Sequence, residues 1–306
     1  MRFSTTIPRM FFRRCRFALL WFFLIAGVFA PEARCQQAAA APAASGARQL
    51  LLPRRIVSGE RATLAVLDLN GRLTPGVTVN FSDGDRLTTD TTGRAVFVAP
   101  LNPGVIFGSI AGRTGLVATV VLTSAEAATA SPEISATPRV ASLADRFEVL
   151  GKGFCGDADS NRVTLAGQPA LVLASSPTAL VVLPPPDLQP GSAAVEVSCA
   201  KRQSPPFSLT LVGLELQADS SPLKPDEHRA LTVRVRGTAS KIELEARNLA
   251  PEIAELVGGN PARGSSSGGP ENSAKFEVVG RKNGSFLISI RLVPYMSSPA
   301  PKARRD

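Results

Sequence analysis

The sequence predicts an all-β protein of tandem β-sandwich units behind an export leader. Three observations carry that expectation. Short runs alternate apolar and polar residues from about residue 50 to residue 293, as strands do when one face meets a core and the other meets water. Between the early runs stand Asn70-Gly71, Pro75-Gly76, Asp83-Gly84 and Thr92-Gly93, at turns where glycine or asparagine takes a left-handed backbone. Beyond the leader, no long stretch keeps the helical period of 3.6 residues.

The leader is read as residues 1–35. MRFSTTIPRMFFRRCR is a basic start, FALLWFFLIAGVFA is an apolar run of 14 residues, and PEARCQQ offers small residues for cleavage. These are the proportions of a secretory signal peptide. A spanning helix needs about 20 apolar residues, so an uncleaved N-terminal anchor is the alternative. Ala33 and Cys35 suit the cleavage positions, whereas Glu32-Ala33-Arg34 spoils a lipoprotein signal and Arg16 departs from the twin-arginine pattern begun at Arg13-Arg14. The expected location is periplasmic, cell-surface or secreted, with no membrane span once the leader is removed. The net charge of +9 is concentrated in the leader, because beyond residue 35 there are 28 basic and 24 acidic residues. Nucleic-acid binding is therefore not expected.

Residues 36–49, rich in alanine, read as a flexible spacer. A first β unit, 50–124, has inward positions at Leu64, Val66, Val77, Val79, Phe81, Ala95 and Phe97. SAEAATASP makes 125–132 a linker. A second unit, 133–212, follows through Phe147, Val149, Val163, Leu165, Val195 and Val197. The third, 213–293, alternates at Leu231, Val233 and Val235, again at Ile242, Leu244 and Ala246, and last at Phe286, Ile288 and Ile290. The basic, proline-containing tail, 294–306, is expected to be disordered.

GKGFCGDADSNRVTLAG, residues 151–167, resembles a calcium loop at Asp157, Asp159 and Asn161, but Arg162 stands where such a loop needs glycine and Gln168 where it needs a bidentate glutamate. A polar turn is the expectation. Removal of the leader leaves Cys155 and Cys199 as the remaining cysteines. An oxidising compartment and the inward face shared by Val195, Val197 and Cys199 predict a disulfide between them, with two buried free thiols as the alternative. His228 is the sole histidine and lies at a strand entrance, so no catalytic triad is expected. The glycine-rich stretch 257–272 lacks the lysine of a phosphate loop and is expected to be a mobile inter-strand loop. No catalytic residue, metal or cofactor is expected, and the chain is not read as an enzyme.

One resemblance to a known family rests on the second unit. Pro132, Ile134 and Pro138, then Phe147, Val149, Gly151, Gly153 and Phe154, then Asn161, Val163 and Gly167 resemble the IPT/TIG immunoglobulin-like domain. The first unit, through Gly59, Asp68, Asn70-Gly71 and Thr89-Asp90-Thr91-Thr92-Gly93-Arg94, resembles bacterial Ig-like adhesin and carboxypeptidase-regulatory-like modules. These resemblances imply an exported, non-catalytic interaction or spacer protein of the cell envelope. Its expected partner is an unidentified envelope or extracellular protein or a polysaccharide. A carbohydrate-binding accessory role is the alternative, but the aromatic inventory opposes it: Trp21 falls in the leader and the sole tyrosine is Tyr295.

Overall fold

The computed structural model describes residues 48–129, 131–218, 221–293 and 296–297. The leader, nearly all of the spacer and most of the basic tail, with Cys35 and Tyr295, lie outside the described residues. The chain is all-β and builds immunoglobulin-like sandwiches around successive cores.

The first strands are β1 (Gln49–Leu51), β2 (Arg55–Val57), β3 (Arg61–Leu67), β4 (Thr78–Phe81), β5 (Arg86–Thr88), β6 (Arg94–Val98), β7 (Gly104–Ile110) and β8 (Leu116–Leu122). One sheet runs β2-β8-β7-β4-β5, and in the facing sheet β1 and β6 both pair with β3. Leu64, Val66, Val79 and Phe81 close the core between them, on the faces that the alternation marks as inward. The Thr89–Arg94 turn locks the edge of this core. Thr89 is buried and donates its hydroxyl to the Thr74 carbonyl at 2.8 Å while accepting from the Val77 N–H at 2.9 Å. Asp90 accepts from the Thr92 hydroxyl at 2.7 Å and the Thr92 N–H at 2.8 Å, and the hydroxyl bond is the leading reason its carboxyl sits below the ordinary value. Gly93 has φ +78°, and a Cβ there would lie 2.5 Å from the Thr74 nitrogen. A short helix, α1 (Ser124–Ala127), follows in the expected linker.

The middle strands are β9 (Glu133–Pro138), β10 (Val140–Ser142), β11 (Phe147–Lys152), β12 (Asn161–Leu165), β13 (Gln168–Ser176), β14 (Ala179–Leu183), β15 (Gly191–Cys199), β16 (Arg202–Gln203) and β17 (Phe207–Gln217). β13 pairs with β12 at its start and with β14 after it, with a register break between Val172 and Ala174, so one strand turns the corner between two sheets. Val149, Val163, Leu165, Leu180, Val195 and Val197 fill this core.

The last strands are β18 (His228–Arg236), β19 (Glu243–Asn248), β20 (Ala254–Leu256), β21 (Ala262–Ser265), β22 (Ser273–Gly280), β23 (Ile288–Leu292) and β24 (Met296–Ser297). A sheet β20-β22-β18-β17 faces a sheet β21-β19-β23. Val233, Leu244, Leu256 and Phe276 pack between them, with Ile288 and Ile290 half-buried against that core.

Strand β17 belongs to two sandwiches. Residues 207–211 pair with β15, and residues 213–217 pair with β18. The chain thus crosses from the middle core to the third within one strand of 11 residues.

The glycine-rich stretch differs from its expectation as a mobile loop. It carries β21, which pairs with β19 from Ser265 opposite Glu243 to Ala262 opposite Ala246. Asn272 is 1% exposed, donates to the Thr238 and Ser240 carbonyls at 3.1 and 2.8 Å, and accepts from the Gly268 N–H at 2.8 Å. Side-chain amide bonds order this segment where apolar alternation is missing.

Candidate functional site

Residues 155–161 form a turn that grips the first sandwich. Every one of the three suspected calcium ligands is already an acceptor for a protein donor. Asn161 Oδ1 accepts from the Cys155 N–H at 2.9 Å, while its Nδ2 donates to the Cys155 and Asp157 carbonyls at 2.8 and 2.9 Å. Asp157 Oδ1 accepts from the Asp159 N–H at 3.1 Å. Asp159 Oδ1 accepts from Arg94 Nη1 at 2.7 Å. Among the described residues, no cluster of three His, Cys, Asp or Glu side chains is placed to hold a metal ion.

The same turn holds the disulfide. Cys155 and Cys199 are joined with their Cα atoms 5.6 Å apart. Cys199 ends β15, opposite Asn161 in β12, so the bridge and the Asn161 amide fix the turn at its two sides. The turn then presents the Gly156 carbonyl, which accepts from Thr63 Oγ1 at 2.8 Å and from Ser175 Oγ at 2.7 Å. Arg94, only 7% exposed, adds a bond from Nη2 to the Val172 carbonyl at 2.7 Å. Leu51, Ala65 and Leu67 meet Leu173, Ala174 and Val181 beside these bonds. The first and middle sandwiches are therefore docked through both polar and apolar contacts.

Glu148 belongs to that interface. It accepts from the Arg54 N–H at 2.8 Å and pairs with Arg54 Nε at 3.2 Å. Burial raises its carboxyl above the ordinary value, opposed by the Arg54 N–H and guanidinium. A raised native pKa means that the folded chain holds this proton more firmly than the unfolded chain does. The group's contribution is then complete below the unfolded pKa and is lost as pH rises through the folded one. Glu148→Gln keeps an acceptor for the Arg54 N–H and removes the titration. Urea unfolding between about pH 4 and pH 7 should show a smaller loss of stability with rising pH in the variant than in the parent; an unchanged slope would show that Glu148 is not desolvated.

His228 lies at the start of β18, where Nδ1 meets Glu277 Oε1 at 2.6 Å in an exposed pair. No nucleophile is aligned with it by the hydrogen bonds of the described residues.

A cleft of about 810 Å³ opens where parts of all three strand groups meet. Leu67, Leu173 and Leu183 line one side and Leu214, Leu216 and Leu249 another. Its charged residues are Arg48, Arg146, Arg247 and Arg291 against Asp68, Asp145 and Glu245. The acids are engaged: Asp68 accepts from the Asn70 and Arg72 N–H groups at 2.7 and 2.9 Å. Asp145 stands 3.2 Å from Arg146 and 4.0 Å from Arg291, and Glu245 stands 3.8 Å from Arg263. Arg48 and Arg247 make no ion pair with the described residues. Burial lowers the Arg146 guanidinium from its ordinary value; Asp145 opposes that effect and Arg291 adds to it. The cleft offers an aliphatic surface beside surplus guanidinium charge, and among the described residues its lining contains no aromatic ring.

The sequence marked none of these lining residues as a site: Asp68 and Asn70-Gly71 entered as turn positions, and Val233, Ile288 and Ile290 as core positions. Leu216, Leu249 and Leu287 are exposed leucines at 49%, 52% and 62%, but in the sequence they look like ordinary strand or turn positions.

No protein-family model matches the chain, and no curated protein matches it. Among solved structures, similarity extends to a Bacteroides ovatus mixed-linkage glucan utilization locus protein, SGBP-B, in complex with a mixed-linkage heptasaccharide, at 13% identity and TM-score 0.32 over 79% of this chain and 73% of that one. Domains 4 and 5 of the S-layer protein SbsC match at 20% identity and TM-score 0.20, over 38% of this chain and 65% of that one. Fibronectin(III)-like modules of Clostridium thermocellum CbhA match at 12% identity and TM-score 0.19, over 54% of this chain and 93% of that one. Likenesses of this strength assign no function. Among the described residues, no helix is long and apolar enough to cross a membrane.

Proposed function

We propose that this chain is an exported, non-catalytic interaction protein of the cell envelope or surface, built from three Ig-like modules with the middle one of IPT/TIG type, and that it engages its partner at the three-way cleft. The observation that carries the reading is the cleft itself, where aliphatic side chains share the lining with Arg48 and Arg247, two guanidiniums with no ion pair among the described residues. Such a surface suits recognition: the apolar part supplies burial and the charges supply orientation. Docking of the first sandwich on the middle one and the strand shared with the third hold its walls in place. The buried Phe147, Val149 and Phe154 support the IPT/TIG assignment, as does the φ of +71° at Gly153. A polysaccharide is the less favoured partner, because sugar faces are usually held by aromatic rings.

Photocrosslinking decides where the partner sits. A benzoylphenylalanine at Leu287, inside the cleft, should give a discrete protein adduct in exporting cells, while one at the exposed Leu101 should give none. Adducts from Leu101 alone would move the interaction off the cleft, and glycan adducts at Leu287 would replace the protein partner with a polysaccharide.

A further inference from the structure

We infer that the occupant of the cleft is an extended acidic peptide segment of a partner protein, added as a strand along the free edge of β23. This deepens the reading above and rests on it. β23 ends its sheet, pairing with β19 on one side and with no strand on the other among the described residues. The Leu249 N–H bonds the Leu287 carbonyl at 3.0 Å and the Val293 N–H bonds the Glu243 carbonyl at 2.9 Å. Antiparallel pairing alternates, so residues 287, 289, 291 and 293 direct their backbone groups to β19 and residues 288, 290 and 292 direct theirs to the free edge. β23 also lies near β10. At Ile288 and Ile290 it borders the cleft.

An unpaired strand edge recognises an extended backbone, and flanking side chains then set which sequence is taken. Here Arg247 is opposite Ser289 and Arg291 is opposite Glu245 in the β19–β23 pair, so both arginines share one sheet face with Glu245, Arg291 on the edge strand and Arg247 one strand in from it. Arg146 and Arg291 both have Asp145 within 4.0 Å, but the four arginines of the cleft exceed its three acids, and Arg247 makes no ion pair with the described residues, so the surplus charge calls for carboxylates. The leucines call for apolar residues between them. A second copy would set these arginines against their own kind, and the chain's own basic tail, PKARRD, carries the wrong sign.

The probe is a fluorescein-labelled peptide of about six residues alternating valine and glutamate, the length of an ordinary strand. Its binding to the leaderless chain is read by anisotropy. Replacing glutamate by lysine, N-methylating the amides along one peptide edge, and the double substitution Arg247→Glu/Arg291→Glu should each weaken binding by roughly tenfold or more. Exchange of the Ile288 and Ile290 amides should slow when the parent peptide is bound.

Equal binding by peptides N-methylated on either edge would overturn strand addition while leaving the cleft as the site. Equal binding by the double variant would place the peptide elsewhere. No binding of the acidic peptide, in a chain whose Leu287 still crosslinks its native partner, would overturn the acidic class and spare the proposed function.

Discussion

Removal of the Cys155–Cys199 bridge is expected to lower stability by about 4 kcal/mol. The two residues are 44 apart in sequence, and closing a loop of that size restricts the unfolded chain by about this amount on the loop-entropy account. For a protein of this size the melting temperature should fall by roughly 10 °C. A second effect follows from position. Cys155 is next to Gly156, whose carbonyl accepts the Thr63 and Ser175 hydroxyls, so reduction loosens the turn that docks the first sandwich. Thermal unfolding of exported protein, with and without reductant and beside a Cys155→Ala/Cys199→Ala variant, measures the loss. Identical melting in all three samples would show that the bridge adds nothing to stability, and free thiols in the exported protein would return the pair to the alternative of buried cysteines.

Gly156→Val should separate the first sandwich from the middle one without unfolding either core. A Cβ at Gly156 would lie 1.9 Å from the Arg61 carbonyl oxygen and 2.6 Å from its carbon. Neither backbone can retreat cheaply, because Arg61 begins β3 and residue 156 is tied to the disulfide turn. Overpacking of this kind costs about 1 to 3 kcal/mol and more where backbone must move. Loss of the Gly156 bonds to Thr63 and Ser175, and of the Arg94 contacts with Asp159 and Val172, adds to it. Limited proteolysis should then cut near α1, and exchange should quicken along β3 while β18 and β22 keep their protection. Unchanged cleavage would mean that the docking tolerates a side chain at this point.

The cores were legible in the sequence because strand geometry writes itself at short range. Val233 and Val235, or Leu64 and Val66, are two residues apart and share a face, and all four are buried. The disulfide was legible for a related reason: Val195, Val197 and Cys199 follow the same alternation toward the middle core. The docking of the first sandwich was not, because Arg94 finds Asp159 across 65 positions and nothing local distinguishes that arginine from a solvated one. Asp159 shows the converse. Its spacing from Asp157 and Asn161 resembles a calcium loop, a reading that Arg162 and Gln168 oppose in favour of a polar turn, and within that turn it meets the Arg94 guanidinium. The glycine-rich stretch was misread because Asn272 and Asn260 order it through backbone acceptors, and no hydropathy pattern encodes an amide bond. The cleft was invisible for a simpler reason: its walls come from distant parts of the chain.

Strand β17 changes how the molecule carries tension. A linker between two domains stretches first under load and shields the folded parts, whereas β17 is already extended over 11 residues, about 36 Å at the usual strand rise. It has no slack. Force applied between the middle and third sandwiches passes directly into the rows of hydrogen bonds that join β17 to β15 on one side and to β18 on the other. Those rows lie across the pulling direction and are loaded in shear, many bonds at once, so the junction behaves as an inextensible splice.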